Sequence, residues 1–334
     1  EITTRLVGSE MCIRDRIIVI ITSLLCTRYS ILKAIIFCLS IFTLFAIIKT
    51  LMQKFIGFDS FETKWLNAGG ATTHIIWSGI RYFSFFTDAS NMGANMGAAI
   101  MFFGIASLYM RSALCKIYYS CIAILALYAL FLSGTRGAII VPLAGLALYT
   151  LISKQTKMVI GGASMLLFIY IFFAFTTIGQ SNSSIRRIRT AFNPTKDASY
   201  IVRKENQKKL ATYLKYKPFG EGLGLSGDGL GVKISTRFTT SIPTDSWYVK
   251  IWVETGIVGL ILYLSMIFFT IGWGGWIIAT QIKDLELKGL LSGLLCGIFG
   301  MFINAYANSF WGQFPTMIIA FMGLTLSLIH ISEP

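Results

Sequence analysis

The chain is dominated by apolar stretches that are each long enough to cross a lipid bilayer. A spanning helix needs about 20 consecutive apolar residues, because it rises about 1.5 Å per residue through a hydrocarbon core about 30 Å thick. Hydropathy along the chain predicts helices at Ile31–Met52, Asn91–Met110, Ala113–Leu132, Ala138–Ile152, Met158–Ile178, Trp247–Trp273, Gly289–Ala307 and Phe314–Ile329, with a remnant of another at Ile17–Thr27. We therefore predict an all-α integral membrane protein, a polytopic bundle of about eight or nine transmembrane helices.

Composition excludes a disordered chain, a fibrous protein and an ordinary cytosolic enzyme. Hydrophobic residues make up 55% of the 334 residues and charged residues only 13%, whereas soluble domains are about a quarter charged. The net charge of +14 would suggest a nucleic-acid partner for a soluble protein. On a membrane protein it indicates basic cytoplasmic turns and a basic extramembrane region, so we expect membrane lipids and no nucleic acid as partners.

Lys and Arg in the short connections orient the predicted bundle, because cytoplasmic loops carry an excess of these residues. The connections assigned to the cytoplasm on this ground contain Arg28 with Lys33, Arg111 with Lys116, Lys154 with Lys157, and Lys283 with Lys288. The alternate connections then lie outside the cytoplasm: Gln53–Ser90, Ser133–Gly137, Gly179–Ser246 and Asn308–Gln313. This topology predicts transmembrane helices over 17–178 and 247–329 and one large loop over 179–246 outside the cytoplasm. In a bacterium the membrane is the inner membrane and the loop is periplasmic.

Both ends of the chain differ in character from the rest. Adapter-derived sequence is resembled by residues 1–16 (EITTRLVGSEMCIRDR) and by residues 330–334. At the C-terminus the adapter-like sequence begins as early as about residue 326. We exclude both ends from the functional argument and expect a chain that is truncated at its N-terminus.

The predicted periplasmic loop is strongly basic, with twelve Lys and Arg against five Asp and Glu. A basic loop beside a membrane binds anionic lipid headgroups or a phosphorylated substrate, and composition leaves both open. Within the loop, Asp197–Lys217 is predicted as a helix that Pro218 ends. The Gly-rich run Gly220–Gly231 either holds a phosphate through backbone N–H groups or forms a flexible surface turn, and it lacks the P-loop pattern for nucleotides.

Two short motifs place charged residues where predicted helices meet the outer membrane face. The turn SGTRGA carries Arg136, which either extends to lipid headgroups or binds a phosphate bidentately. The run TDSWYVKIWVETGIVG begins at Thr244, and its Asp245 is either a helix cap or a catalytic base at the mouth of a membrane cavity. Lys250 and Glu254 in the same run are spaced as an i,i+4 ion pair.

These motifs, in this order, resemble the O-antigen ligase and O-antigen polymerase superfamily, which are integral membrane glycosyltransferases of the GT-C type. The resemblance rests on SGTRGA, on a loop that carries Arg203 and the later run KPFGEGLG, on TDSWYVKIWVETGIVG, and on an upstream run that begins at Arg81. It covers roughly residues 75 to 325. Asp245 stands where ligases have a His, and Gln207 stands where an aromatic residue often follows the loop Arg.

The resemblance implies transfer of a glycan from undecaprenyl pyrophosphate to a hydroxyl acceptor at the periplasmic membrane face, with no cofactor and no metal. The implied acceptor is lipid A core, a growing polysaccharide or a protein, and a polymerase of the same superfamily is the alternative to a ligase. The catalytic residues would be Asp245, Arg136 and Arg203, and the donor would be bound by Arg136, Arg203, Arg81, Gly222 and Gly224.

Two further classes remain open from the sequence alone. A lipid or glycan transporter is also polytopic and basic, but it is expected to show internal repeats, which this sequence lacks. A noncatalytic assembly subunit is equally compatible with the composition. The six Cys form no CxxC pair, and His74 and His330 are the only His, so neither a zinc site nor a Ser-His-Asp triad is predicted.

Overall fold

The computed structural model describes residues 28–76, 79–153, 198–227, 235–313 and 315–328, together with individual positions within 17–24 and 160–189. In the continuous ranges the helices are α1 (Tyr29–Phe55), α2 (Ser60–Trp65), α3 (Ala71–His74), α4 (Ala89–Tyr109), α5 (Ala113–Leu132), α6 (Ile140–Ser153), α7 (Ala198–Leu214), α8 (Trp247–Thr280), α9 (Leu285–Asn304) and α10 (Thr316–Leu328). The shorter elements are a wide helical turn at Leu66–Gly70, 3-10 turns at Arg136–Ile139 and Phe238–Ser241, and an antiparallel hairpin of β1 (Ile75–Ile76) and β2 (Gly79–Ile80).

This architecture confirms the prediction of an all-α membrane protein. Among the described residues, six segments are long and apolar enough to span a membrane, namely α1, α4, α5, α8, α9 and the segment Arg136–Ser153 that contains α6. Helix α10 is apolar but has only 13 residues. The predicted spans Ile17–Thr27 and Met158–Ile178 are described only in part, so the total of about eight or nine helices stays a prediction.

The predicted loop helix is also present. It was expected at Asp197–Lys217, and α7 covers Ala198–Leu214 and ends before Pro218. Asp197, where the predicted helix begins, lies outside the described residues.

Helices α4 and α9 form the centre of the bundle. In their most apolar stretches 78% and 83% of the residues are buried, against 17% in α8, so the other helices surround these two. Helix α9 packs along α4 and α6, and α5 also packs along α4. A small residue permits the closest of these approaches, because a Cβ added to Gly300 of α9 would lie 2.1 Å from the Val141 carbonyl oxygen of α6.

We expect Gly300→Ala to destabilise the protein by about 1–3 kcal/mol, the usual cost of overpacking a tight core. The atoms that the new methyl group would meet belong to the backbone of α6, which cannot rotate away. Gly272→Ala in α8 is the matched control, because no atom lies within 4 Å of its added Cβ and alanine favours the helix. Thermal unfolding in detergent compares the two variants, and equal melting temperatures would contradict the close packing of α9 on α6.

An ion-pair cluster joins three segments at the end of the bundle where α4 ends and α9 begins. The Glu286 carboxylate is only 4% exposed and pairs with Lys33 Nζ at 2.9 Å and with Arg111 Nε at 3.5 Å. Asp284 also pairs with Arg111, and it caps α9 by accepting a hydrogen bond from the Leu287 N–H at 2.8 Å. Lys33 and Arg111, both assigned to the cytoplasm by their charge, therefore lie at the same end of the bundle.

At the opposite end, the chain between α1 and α4 folds over the helix ends. Asp59 caps α2 and exchanges reciprocal hydrogen bonds with Glu62. Asp88 caps α4, because its Oδ1 accepts hydrogen bonds from the N–H groups of Ser90 at 2.6 Å and Asn91 at 2.9 Å. This small extramembrane layer contributes part of the wall of a cavity.

Candidate active site

A cavity of about 630 Å³ opens at this end of the bundle. It is lined by the stretch from Thr73 to the start of α4, by α7, by the start of α8 and by the loop between α9 and α10. Its charged and titratable lining residues are His74, Arg81, Asp88, Arg203, Asp245 and Lys250. The structure therefore brings together Arg81, Arg203 and Asp245, three predicted site residues from distant parts of the chain.

The Arg81 guanidinium is held at the cavity by neutral acceptors. Its Nη1 donates to the Thr73 carbonyl at 3.0 Å, and its Nη2 donates to Thr135 Oγ1 at 2.8 Å and to Ser90 Oγ at 3.2 Å. Its Nε is buried and has no hydrogen-bond partner among the described residues. Because these acceptors carry no charge, they orient the guanidinium without neutralising it, and it can bind a phosphate.

The electrostatic surroundings of Arg81 are mostly positive. Burial lowers the pKa of Arg81, the charge of Asp88 raises it, and the charges of Arg136 and Arg203 lower it again. A guanidinium nevertheless stays protonated in proteins. Arg136 follows the Thr135 that anchors Arg81, is half-buried, and acts on the site through its charge, although it is not among the residues that line the cavity.

Arg203 of α7 and Asp245 before α8 form an ion pair on the cavity wall. Arg203 Nε donates to Asp245 Oδ2 at 3.3 Å, and Arg203 Nη1 donates to the Ala307 carbonyl at 2.8 Å. The two side chains stay 36% and 44% exposed. Helix α8 begins at Trp247 after Ser246 and has no side-chain cap. The Asp245 carboxylate is therefore not used as a helix cap, and it lines the cavity.

Apolar packing fixes the helix that carries Arg203. The buried residues between α7 and the start of α8 are Leu210, Leu214, Ile242, Val249 and Val253. This cluster holds α7 against α8, so Arg203 and Asp245 are positioned by the same contact.

The Gly-rich run after α7 docks on an interruption in α8. Gly256 has a φ of +70° within the helix, and Gly220 has a φ of +74°. A Cβ on Gly256 would lie 2.0 Å from the Pro218 carbonyl oxygen, and the Glu221 N–H donates to the Val253 carbonyl at 2.9 Å. Both the backbone angles and the lack of space require glycine. The KPFGEGLG and ETGIVG motifs are therefore two halves of one contact.

Gly222 and Gly224, which were predicted to bind the donor, are not among the residues that line the cavity. The Gly222 N–H donates to the Glu254 carbonyl at 3.1 Å, so this amide is already bonded within the protein. Gly224 has a φ of +79° and open space around it. The structure does not bring these two glycines together with the charged residues of the cavity.

Neighbouring charges of the loop neutralise one another instead of facing the cavity. The Glu221 side chain is 3% exposed and pairs with Lys217 and, at 2.8 Å, with Arg237 Nη1. Burial raises the pKa of Glu221, but the hydrogen bonds from Lys217 and Arg237 outweigh it and hold that pKa below its ordinary value. This cluster stabilises the docked Gly-rich run.

Part of the chain matches a known protein family. Residues 121–264 match the family model described as O-antigen ligase. This match supports the O-antigen ligase and polymerase superfamily for the chain. Neither the curated proteins nor the solved structures contain a match to this chain.

The segment that matches the O-antigen ligase family runs from α5 into α8. It contains Arg136, Arg203 and Asp245, and it also contains both halves of the contact between the Gly-rich run and α8. Arg81 and the loop after α9 lie outside the matched segment, and the structure places them at the same cavity as Arg203 and Asp245.

Lys250 is a cavity residue that was not predicted from the sequence. Its spacing from Glu254 suggested an i,i+4 pair, but Glu254 Oε1 accepts a hydrogen bond from Ser226 Oγ at 2.7 Å. Lys250 Nζ lies 5.6 Å from the centre of the Trp247 ring and lines the cavity. A lysine in the first turns of a span beside an interfacial Trp was the available signal.

His74 also lines the cavity, in a structural role. The ring is 2% exposed, with Nδ1 3.0 Å from the Gly70 carbonyl oxygen and Nε2 accepting a hydrogen bond from the Ala89 N–H at 3.2 Å. A carbonyl only accepts, so Nδ1 carries the proton. Burial lowers the His74 pKa, which favours this neutral form. Within the described part of the chain, no group of three or more His, Cys, Asp or Glu side chains could hold a metal ion.

Proposed function

We propose that this protein transfers a glycan from undecaprenyl pyrophosphate to a hydroxyl acceptor. The cavity would be its active site at the periplasmic membrane face. The observation that carries the proposal is the convergence of Arg81, Arg203 and Asp245 on one cavity at one end of the helix bundle. Fixed cations stabilise a leaving pyrophosphate, and a carboxylate assists an acceptor hydroxyl. These are the two groups that the reaction requires.

The proposed reaction exchanges one bond for another at the first sugar of the donor. The acceptor oxygen bonds to the anomeric carbon while the bond from that carbon to the pyrophosphate oxygen breaks. Asp245 takes the hydroxyl proton, and the electron pair of the broken bond stays on undecaprenyl pyrophosphate. Arg81, Arg203 and Lys250 stabilise the charge on the leaving group, and Arg136 adds to the positive potential around Arg81.

An apolar groove supports a lipid-linked donor. A second cavity of about 630 Å³ lies between α1, α4 and α10 and is lined almost entirely by apolar side chains, including Phe42 and Met322. It extends to Phe85 and Phe86, which lie between Arg81 and Asp88 in the chain. An isoprenoid chain in this groove would keep its pyrophosphate near the cationic cavity.

Glycan transfer in a bacterial strain that lacks its own O-antigen ligase or polymerase tests the proposal. A ligase attaches a preassembled glycan to lipid A core, whereas a polymerase lengthens the glycan on its carrier lipid, so the product distinguishes these alternatives. We expect Arg136→Ala to reduce transfer at matched protein level and Arg136→Lys to keep most of it, because Arg136 lies outside the cavity lining and contributes through its charge, which lysine retains. Full transfer by both Arg136→Lys and Arg136→Ala would remove Arg136 from the site.

A further inference from the structure

The cavity contains an uncharged segment beside its charged residues. The loop between α9 and α10 contributes Asn308, Ser309, Phe310, Gly312 and Gln313, and none of these side chains carries a charge. Guanidinium and ammonium groups bind phosphate, whereas amide groups exchange hydrogen bonds with hydroxyl groups as both donors and acceptors. The loop is therefore chemically suited to a sugar and not to the pyrophosphate.

The loop is held rigidly against the start of α8. The Trp247 N–H donates to the Ala305 carbonyl at 3.0 Å. A Cβ on Gly312 would lie 2.9 Å from the Trp247 ring, so the loop and the ring are in close contact. Phe310 and Trp311 are 1% and 2% exposed and anchor the loop in the core. A site fixed in this way binds a ligand without first being ordered.

Two amide side chains of this loop retain hydrogen-bonding capacity. Asn308 uses one N–H to donate to Asn304 Oδ1 at 3.1 Å, and its own Oδ1 makes no hydrogen bond to the described residues. Gln313 Oε1 accepts a hydrogen bond from Thr87 Oγ1 at 2.5 Å, while its Nε2 makes only a long contact of 3.4 Å with the Ser309 carbonyl. Both side chains are half-buried at the cavity.

The position of Asn308 indicates which sugar it would meet. It follows Ala307, whose carbonyl accepts the hydrogen bond from Arg203 Nη1 at 2.8 Å. The first sugar of the donor is bonded directly to the pyrophosphate that Arg203 is proposed to bind. Asn308 is therefore placed to meet that sugar when Arg203 binds the pyrophosphate.

We infer that Asn308 and Gln313 bind the pyrophosphate-linked sugar of the donor and thereby select the glycan that is transferred. The inference rests on the proposed function, because it assumes that the cationic residues hold the pyrophosphate. Trp247 adds an aromatic surface beside these amides at the same cavity.

Binding of two lipids to the purified protein tests this inference. The probes are undecaprenyl pyrophosphate without a sugar, and the lipid-linked glycan extracted from the strain in which the protein restores transfer. We expect Asn308→Ala and Gln313→Ala each to weaken binding of the sugar-bearing lipid about three- to tenfold, the effect of one lost hydrogen bond, with binding of the bare lipid unchanged. Tyr306→Phe, in the same loop but outside the cavity lining, is the control that leaves both affinities unchanged.

The ratio of the two affinities decides the result. Equal weakening of both lipids by the loop variants, or no weakening of either, would overturn the inference. Arg203→Lys is expected to weaken both lipids together. If Arg203→Lys changes neither affinity, the proposed function fails whatever the loop variants show, so the two failures are distinguishable.

Discussion

Asp245→Asn is expected to reduce glycan transfer at least about a hundredfold, because general-base assistance is typically worth about 10²–10⁴ in rate. Asparagine keeps the shape of the side chain but cannot accept the acceptor proton. The Asp245 carboxylate accepts a hydrogen bond from Arg203 and lines the cavity, and it does not cap α8, whose first turn has no side-chain cap. The loss is therefore expected in transfer and not in the amount of folded protein in the membrane.

Asp88→Asn provides the matched control for Asp245→Asn. Asp88 lines the same cavity, but its carboxylate caps α4 through the N–H groups of Ser90 and Asn91. Asparagine caps a helix about as well as aspartate, so this variant should transfer glycan at close to the normal rate. Normal transfer by Asp245→Asn would remove Asp245 from the catalytic residues, and an equal loss in both variants would indicate a general effect of charge.

Arg203→Lys is expected to reduce transfer about a hundredfold or more, the usual effect of removing one fixed donor to a developing anion. Arg203 uses Nε for Asp245 and Nη1 for the Ala307 carbonyl, which leaves Nη2 for the leaving group. A lysine ammonium keeps the charge but cannot hold these partners and a phosphate in one plane. The expected loss therefore comes from geometry and not from charge.

Lys209→Met on the same helix controls for the removal of a cation from α7. Lys209 is exposed and, among the described residues, pairs only with Glu205 at 3.1 Å, and exposed pairs of this kind contribute little to stability. We expect unchanged transfer from this variant, measured with purified protein at saturating donor. Activity of Arg203→Lys equal to that of Lys209→Met would contradict the donor-binding role.

The membrane helices were predictable because spanning length and hydropathy are properties of the local sequence. Helix α5 has the predicted bounds, and α8 begins at the predicted Trp247. Helix α8 continues to Thr280 instead of ending at Trp273, because glycine is tolerated in membrane helices and the residues after Trp273 give no stop signal.

The site was predictable only where a motif marked it. Arg203 and Asp245 were singled out by their motifs, but their ion pair depends on the packing of α7 against α8, which spacing does not reveal. The Lys250–Glu254 pair is not formed, because the Gly-rich run brings Ser226 to Glu254. Asn308 carried no signal, since its place at the cavity depends on contacts between distant segments.

Release of undecaprenyl pyrophosphate by the purified protein tests the central claim most directly. The protein in liposomes would be given a lipid-linked glycan and a hydroxyl acceptor, and both lipid products would be followed by mass spectrometry. We predict one bare undecaprenyl pyrophosphate for each glycan attached to the acceptor, and no release by Asp245→Asn above about one hundredth of the normal rate. Movement of the intact lipid-linked glycan across the bilayer without release of the bare carrier would contradict the account and indicate a transporter.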